Sequence, residues 1–110
     1  MSHYYEDQDL NRFQEMGKYR PDLFENFMNY YQGVMAAGAL TLREKALIAL
    51  AVAHALQCPY CIDAYTRVSL ESGSNMEEMT EAIHVAAAIR GGAALIHGLQ
   101  AHNTAAKITL

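Results

Sequence analysis

Thr41-Leu42-Arg43-Glu44-Lys45-Ala46-Leu47-Ile48-Ala49-Leu50-Ala51-Val52-Ala53-His54-Ala55-Leu56-Gln57-Cys58-Pro59-Tyr60-Cys61 carries the start of one helix, its end, and the start of the next. Thr41 and Glu44 have the spacing of a capping box, which predicts a helix running from there through Gln57. Residues 46–53 are apolar without a break, so the helix is expected to be buried on nearly every side. Pro59 suits a first helical position, because its missing N–H is one that a helix start leaves unpaired anyway. Cys58 then becomes an N-cap and Cys61 the third residue of the new helix. Both sulfurs are expected beside unpaired backbone N–H groups and the positive end of the helix dipole, a setting that favours thiolate over thiol. Because Cys58 lies outside helical geometry, the two Cβ atoms can approach to disulfide distance. A loop this small gains little as a structural staple, so the pair reads as redox-active. Two rival readings remain open: a pair of buried structural thiols, and a soft-metal site. The metal site would need two further ligands, and no second Cys pair exists to supply them.

Outward from this stretch the chain keeps a helical rhythm, and no convincing alternating strand occurs. Residues 1–9 form a polar arm. A short helix is expected over 10–16, ending near Gly17. Pro21 opens a second, followed by Leu23, Phe24, Phe27, Met28 and Tyr31 at helical spacing, and Gly38 breaks it. The helix begun at Pro59 is expected to stop at Gly73. Ser74-Asn75-Met76-Glu77 reads as a second capping box, opening a helix to about Arg90. Gly91-Gly92 then predicts a break or kink before a last helix over 93–102. The small residues around it (Ala86, Ala87, Ala88, Ala93, Ala94) suit close helix–helix approach. The expectation is a single all-α domain of five to six helices.

The 110 residues are 52% hydrophobic and only 18% charged, which excludes disorder. So small a body cannot hide that much apolar surface, and a homo-oligomer is expected. The net charge of −4, without a Lys/Arg stripe, argues against nucleic acid and anionic membranes as partners. The polar, acidic start lacks a signal-peptide pattern. Residues 46–56, the most apolar run, are too short to span a bilayer. The chain reads as cytoplasmic.

Residues 47–62 resemble the signature of the alkyl hydroperoxidase D / carboxymuconolactone decarboxylase family, and Glu81-Ala82-Ile83-His84-Val85-Ala86-Ala87-Ala88-Ile89-Arg90-Gly91-Gly92-Ala93 is similar to a later helix of that family. The resemblance covers about residues 40–98. The Tyr4-Tyr5 arm and Cys-Pro-Tyr-Cys-Ile-Asp-Ala-Tyr resemble the peroxidase-like proteins associated with arsenosugar biosynthesis. The resemblance implies a helical bundle assembled as trimers or hexamers, with thiol peroxidase or disulfide reductase activity. It implies Cys61 as the peroxidatic thiol and Cys58 as the resolving one, which also meets the electron donor. The family's proton relay adds a Glu twelve residues before the first Cys and a His four after the second. Ala46 and Tyr65 stand there instead, which predicts slow peroxide turnover.

His54, one helical turn before Cys58, is a candidate base for the dithiol or else a histidine bonded to a carbonyl. Tyr65, four residues after Cys61, offers a hydroxyl to the same face. Glu44 is a possible site-lining residue if the next helix returns antiparallel towards it, but it is about 21 Å from Cys58 along a continuous helix, and its capping role explains it without catalysis. His84 and His97 are further candidates to line the site, and Asp63 complements a helix start. No flavin, haem or nicotinamide motif appears, so no cofactor is expected and electrons should arrive from a thiol or disulfide donor. The leading expectation is a CxxC oxidoreductase. The alternative is a dithiol that binds or transfers trivalent arsenic; lactone decarboxylation, from the family's other branch, ranks below both.

Overall fold

A computed structural model describes residues 6–108; the Tyr4-Tyr5 pair lies outside the described residues. A 3₁₀ segment, Leu10–Gly17, is followed by four α-helices: α1 (Pro21–Met35), α2 (Leu42–Leu56), α3 (Pro59–Glu71) and α4 (Met76–Ile108). The fold is all-α, as expected.

Helix α2 is the centre of the molecule, and its start is the predicted capping box. The Thr41 N–H donates to Glu44 Oε1 at 2.8 Å, and the Glu44 N–H donates to Thr41 Oγ1 at 3.1 Å. α3 folds back antiparallel on one side, placing Ser69 of its last turns opposite Ala46 near the start of α2. α4 runs parallel to α2 on another side. Arg43 pairs with Glu78 at the starts of the two helices, and Arg90 Nη1 donates to the Ala55 carbonyl at the end of α2. The same offset of thirty-five residues separates both pairs, so they fix one register.

The buried core is small: Ala46, Leu50 and Ala53 of α2, Ser69 of α3, and Met79 and Ala86 of α4. Alanines at 46, 53 and 86 let three backbones approach closely around Leu50. The expectation that α2 is buried on nearly every side is corrected. Leu42, Ile48, Val52 and Leu56 are exposed, because α3 and α4 cover only part of its circumference.

The N-terminal layer is held by few contacts. Phe13 meets Phe24 edge to face at 5.4 Å, and a Cβ on Gly17 would come within 2.9 Å of the Phe24 ring. Lys45 Nζ donates to the carbonyls of Val34 and Ala36, terminating α1 from α2.

Two further expectations at the C-terminal end are corrected. The capping box is one residue later than read: the Asn75 N–H donates to Glu78 Oε1, and the Glu78 N–H to Asn75 Oδ1. Ser74 is instead buried in the turn, its N–H donating to the Ser69 carbonyl just after Gly73 at φ 94°. There is also no break at Gly91-Gly92, and α4 is one helix of 33 residues. Glycine weakens a helix by about 1 kcal/mol without forbidding it, and the alanines on both sides propagate through. At about 1.5 Å per residue α4 is roughly 50 Å long, and the molecule extends 58 Å along its major axis. By length and composition alone α4 could cross a membrane, with a mean hydropathy of 1.3 over its most apolar window.

Candidate active site: a dithiol at a helix start

The site is made by the turn between α2 and α3. Gln57 takes the left-handed conformation (φ 56°, ψ 47°). Its N–H donates to the His54 carbonyl, and the N–H of Cys58 donates to the Ala53 carbonyl, both at 3.1 Å. These are the two bonds of a Schellman ending, which reverses the chain within two residues. Cys58 emerges in extended conformation as the N-cap of α3, with Pro59 at the first helical position. One residue thus closes α2 and caps α3.

Both cysteines are free and half-buried. An S–H···S hydrogen bond joins their sulfurs at 2.6 Å, and the N–H of Cys61 donates to Cys58 Sγ at 3.3 Å. The expectation that both sulfurs favour the thiolate is corrected for Cys61. Burial, then the hydrogen bond from Cys58, pushes the Cys61 thiol up to about 11. Its own backbone N–H acts in the lowering direction and is outweighed by burial. Cys58 Sγ thus donates to Cys61 Sγ and accepts from the N–H of Cys61.

His54 is half-buried, and its Nδ1 lies 2.8 Å from the Leu50 carbonyl. A carbonyl only accepts, so Nδ1 carries the proton and Nε2 is left for a ligand. His54 lines a cleft of about 620 Å³ with Gln57, Pro59, Ile62, Asp63 and Thr66. Tyr65 is half-buried, and burial raises its phenol above the usual range. Glu44 is at the far end of α2, where hydrogen bonding to Thr41 holds its carboxyl below the usual range. It serves the helix start and not the dithiol. His84 is exposed on α4 and outside the cleft. Ala46, at the relay's acidic position, is 1% exposed beneath Ser69.

Sequence reasoning missed Gln57, Thr66 and a long-range tie: the Tyr60 hydroxyl donates to Asp9 Oδ2 at 2.6 Å, across 51 residues. Gln57 could have been found. Two helix signals leave only residues 57 and 58 for the reversal, which forces one of them into left-handed geometry. Among the described residues, no group of three or more His, Cys, Asp or Glu is placed to hold a metal ion.

An all-helical chain with a half-buried dithiol at a helix N-terminus defines a thiol-bearing helical bundle. The sequence model of the carboxymuconolactone decarboxylase family matches residues 21–103, and the chain belongs to that family. An uncharacterized protein in the cox locus of Paracoccus denitrificans is 45% identical over 75 residues, 68% of each chain. A crystal structure of a protein from Methanobacterium thermoautotrophicum superposes with a TM-score of 0.72 at 36% identity, covering 76% of this chain and 93% of the other. The apo form of a carboxymuconolactone decarboxylase family protein from Legionella pneumophila gives a TM-score of 0.68 at 31% identity, covering 83% and 81%.

Proposed function

We propose that the protein is a thiol-dependent oxidoreductase that cycles Cys58 and Cys61 between dithiol and disulfide. The observation that carries this reading is the 2.6 Å approach of two free sulfurs at the start of α3. A thiolate at Cys58 attacks the oxidant, and Cys61 then attacks the Cys58 sulfur and closes the disulfide. The protein gives up two electrons, and an external thiol donor restores them. Cys58 begins the reaction, which reverses the roles implied by the family resemblance. Two features support the reversal. The N–H of Cys61 points at Cys58 Sγ, and burial raises the Cys61 thiol above its ordinary value.

Both a hydroperoxide and a disulfide are oxidants of the right chemistry. A peroxide expels an alkoxide or hydroxide, which needs a proton in the transition state, and such general-acid help contributes about 10² to 10⁴. The buried methyl of Ala46 and the raised phenol of Tyr65 stand where the relay would be. The test is mass spectrometry of reduced protein after one equivalent of oxidant. A loss of two hydrogens mapping to the Cys58–Cys61 peptide is expected; two thiols still open to alkylation would sink the reading.

The same reading takes the chain as a homo-oligomer, a trimer or hexamer, working in the cytoplasm. Its radius of gyration is 18.9 Å, against about 13 Å for a compact chain of this length. Ile89, Leu95, Ile96 and Leu99 of α4 are exposed, and a Cβ on Gly91, Gly92 or Gly98 would meet nothing within 4 Å. Small residues suited to close helical approach thus have open space beside them. A second copy accounts for this better than lipid does, since α4 also carries His84, Arg90, His97 and His102. Light scattering at micromolar concentration should give a multiple of 12.2 kDa, and a monomer would overturn the assignment.

A further inference from the structure

We infer that α4 carries a self-recognition surface, a seam of Val85, Ile89, Gly92, Ile96 and Leu99 that pairs antiparallel, about a twofold axis, with the same seam of a second copy. This rests on the homo-oligomer reading above and names the surface, register and symmetry through which copies meet.

The five residues recur at alternating intervals of four and three, the spacing of a coiled-coil seam. At about 100° per residue they fall within a stripe about 80° wide along α4. The face that α4 turns to α2 is a different one. Met79 and Ala86 are buried on it, and Arg90 reaches the Ala55 carbonyl from it. It lies about 120° around the helix from the seam. The seam itself is uncovered: Val85 is 58% exposed, Ile89 69%, Ile96 63% and Leu99 54%. Four large apolar side chains in line are a surface for a partner, where scattered ones would need no explanation.

Two features select a second copy running the opposite way. In antiparallel register, Ile89 faces the partner's Leu99 and Gly92 faces the partner's Ile96. A Cβ on Gly92 would meet nothing within 4 Å, so there is open space for that isoleucine. The second feature is charge. Glu77, Glu78 and Glu81 lie in the first turns of α4 and Lys107 in its last. The same register brings Glu81 beside the partner's Lys107, and opposed helix dipoles add to the attraction. Parallel packing would let Asn103 meet its own copy. It would also set glycine against glycine at 92, forfeiting contacts across the gap, and align the two dipoles. An antiparallel pair of identical helices is isologous, so a closed assembly built on it holds an even number of copies. That favours the hexamer over the trimer.

The experiment places cysteines at paired positions in a Cys58→Ser/Cys61→Ser background, oxidised with copper–phenanthroline and read on a non-reducing gel. Ile89→Cys/Leu99→Cys should give a covalent dimer. Ile89→Cys alone should not, because its counterpart lies about 15 Å away along the axis. Linkage of the single variant to a similar yield would mean parallel helices, and the inference falls. Gly92→Leu, made in the native dithiol protein, tests the register independently. Leucine is the better helix former, so a glycine that only fills the helix would let copies associate as tightly or more so. Facing the partner's Ile96 at two places, it should instead raise the dissociation constant at least tenfold, read by light scattering on dilution. Unchanged or tighter association overturns the inference. A wild-type trimer, or an oligomer whose paired cysteines fail to link, also overturns it and leaves the homo-oligomer reading standing. A wild-type monomer sinks both, and if it floats with phosphatidylcholine vesicles the face belongs to lipid.

Discussion

The buried Ser69 hydroxyl donates to the backbone carbonyl of Ala46 at 3.4 Å, tying the end of α3 to the start of α2. Ala46 has no room for anything larger, since its side chain is 1% exposed under that contact. A carboxylate here would be buried without a partner and would push α3 away. Ala46→Glu, which restores the family's acidic position in sequence, should therefore lower stability by ~3 kcal/mol or more in urea denaturation. Paired with Tyr65→His it should not produce a fast peroxidase. A stable, faster double variant would show that the relay can be rebuilt and that peroxide turnover belongs to this fold.

The start of the same helix separates a structural carboxylate from a catalytic one. Thr41→Ala should cost about 1 kcal/mol through loss of the cap. The Glu44 carboxyl is held below its ordinary value by hydrogen bonding to Thr41. Its contribution is thus present above the unfolded value of about 4.3 and lost as pH falls through the folded one. Glu44→Gln should leave the rate of disulfide closure unchanged at pH 7 and flatten the acid limb of stability. A loss of turnover beyond the loss of folded protein would return Glu44 to the site.

Cys61 sets an alkaline limit. Its thiol is raised to about 11 in the folded chain, against about 8.5 when unfolded. Between those values the unfolded chain has released a proton that the folded one keeps. The stability it contributes is full below about pH 8.5 and is lost as pH rises towards 11. Denaturation midpoints should fall across that window in wild type and hold steadier in Cys61→Ser. Iodoacetamide at pH 8 should mark Cys58 first; equal labelling would remove the inequality of the two sulfurs.

Tyr60→Phe removes the hydroxyl that holds Asp9 and should loosen the N-terminal layer without unfolding the rest. Limited proteolysis should cut before Pro21 several times faster, with little change in the global midpoint. Equal cutting rates would mean that the Phe13–Phe24 packing alone holds the layer.

Much of this architecture was legible because it depends on neighbours in sequence. The Thr41/Glu44 box, Pro59 at a first helical position and Cys58 at an N-cap need only local spacing, and each is found as read. Choices between adjacent local options were less legible. Ser74/Glu77 and Asn75/Glu78 fit the same pattern, and only the burial of Ser74 in the turn decides between them. Glycine at 91 and 92 permits a break without compelling one. Non-local ties such as Lys45 to Val34 and Tyr60 to Asp9 leave no periodic trace. At the site, the dithiol was visible, whereas the rise of the Cys61 thiol comes from tertiary burial that spacing does not reveal. His54 was left between two readings, and its bond to the Leu50 carbonyl satisfies the bland one while leaving Nε2 for the other.

The unbroken α4 has a consequence for folding itself. Its register with α2 ends at Arg90 and Ala55, and residues 91–108 continue beyond that tie. An isolated helical segment of that length is marginal in water, and the glycines at 91, 92 and 98 each weaken it by about 1 kcal/mol. The ellipticity at 222 nm should therefore depend on protein concentration. Dilution through the dissociation range should unwind these turns first, and their amides should exchange with deuterium well before those of residues 42–56. On this view the second half of the longest helix is a product of assembly, formed when copies meet.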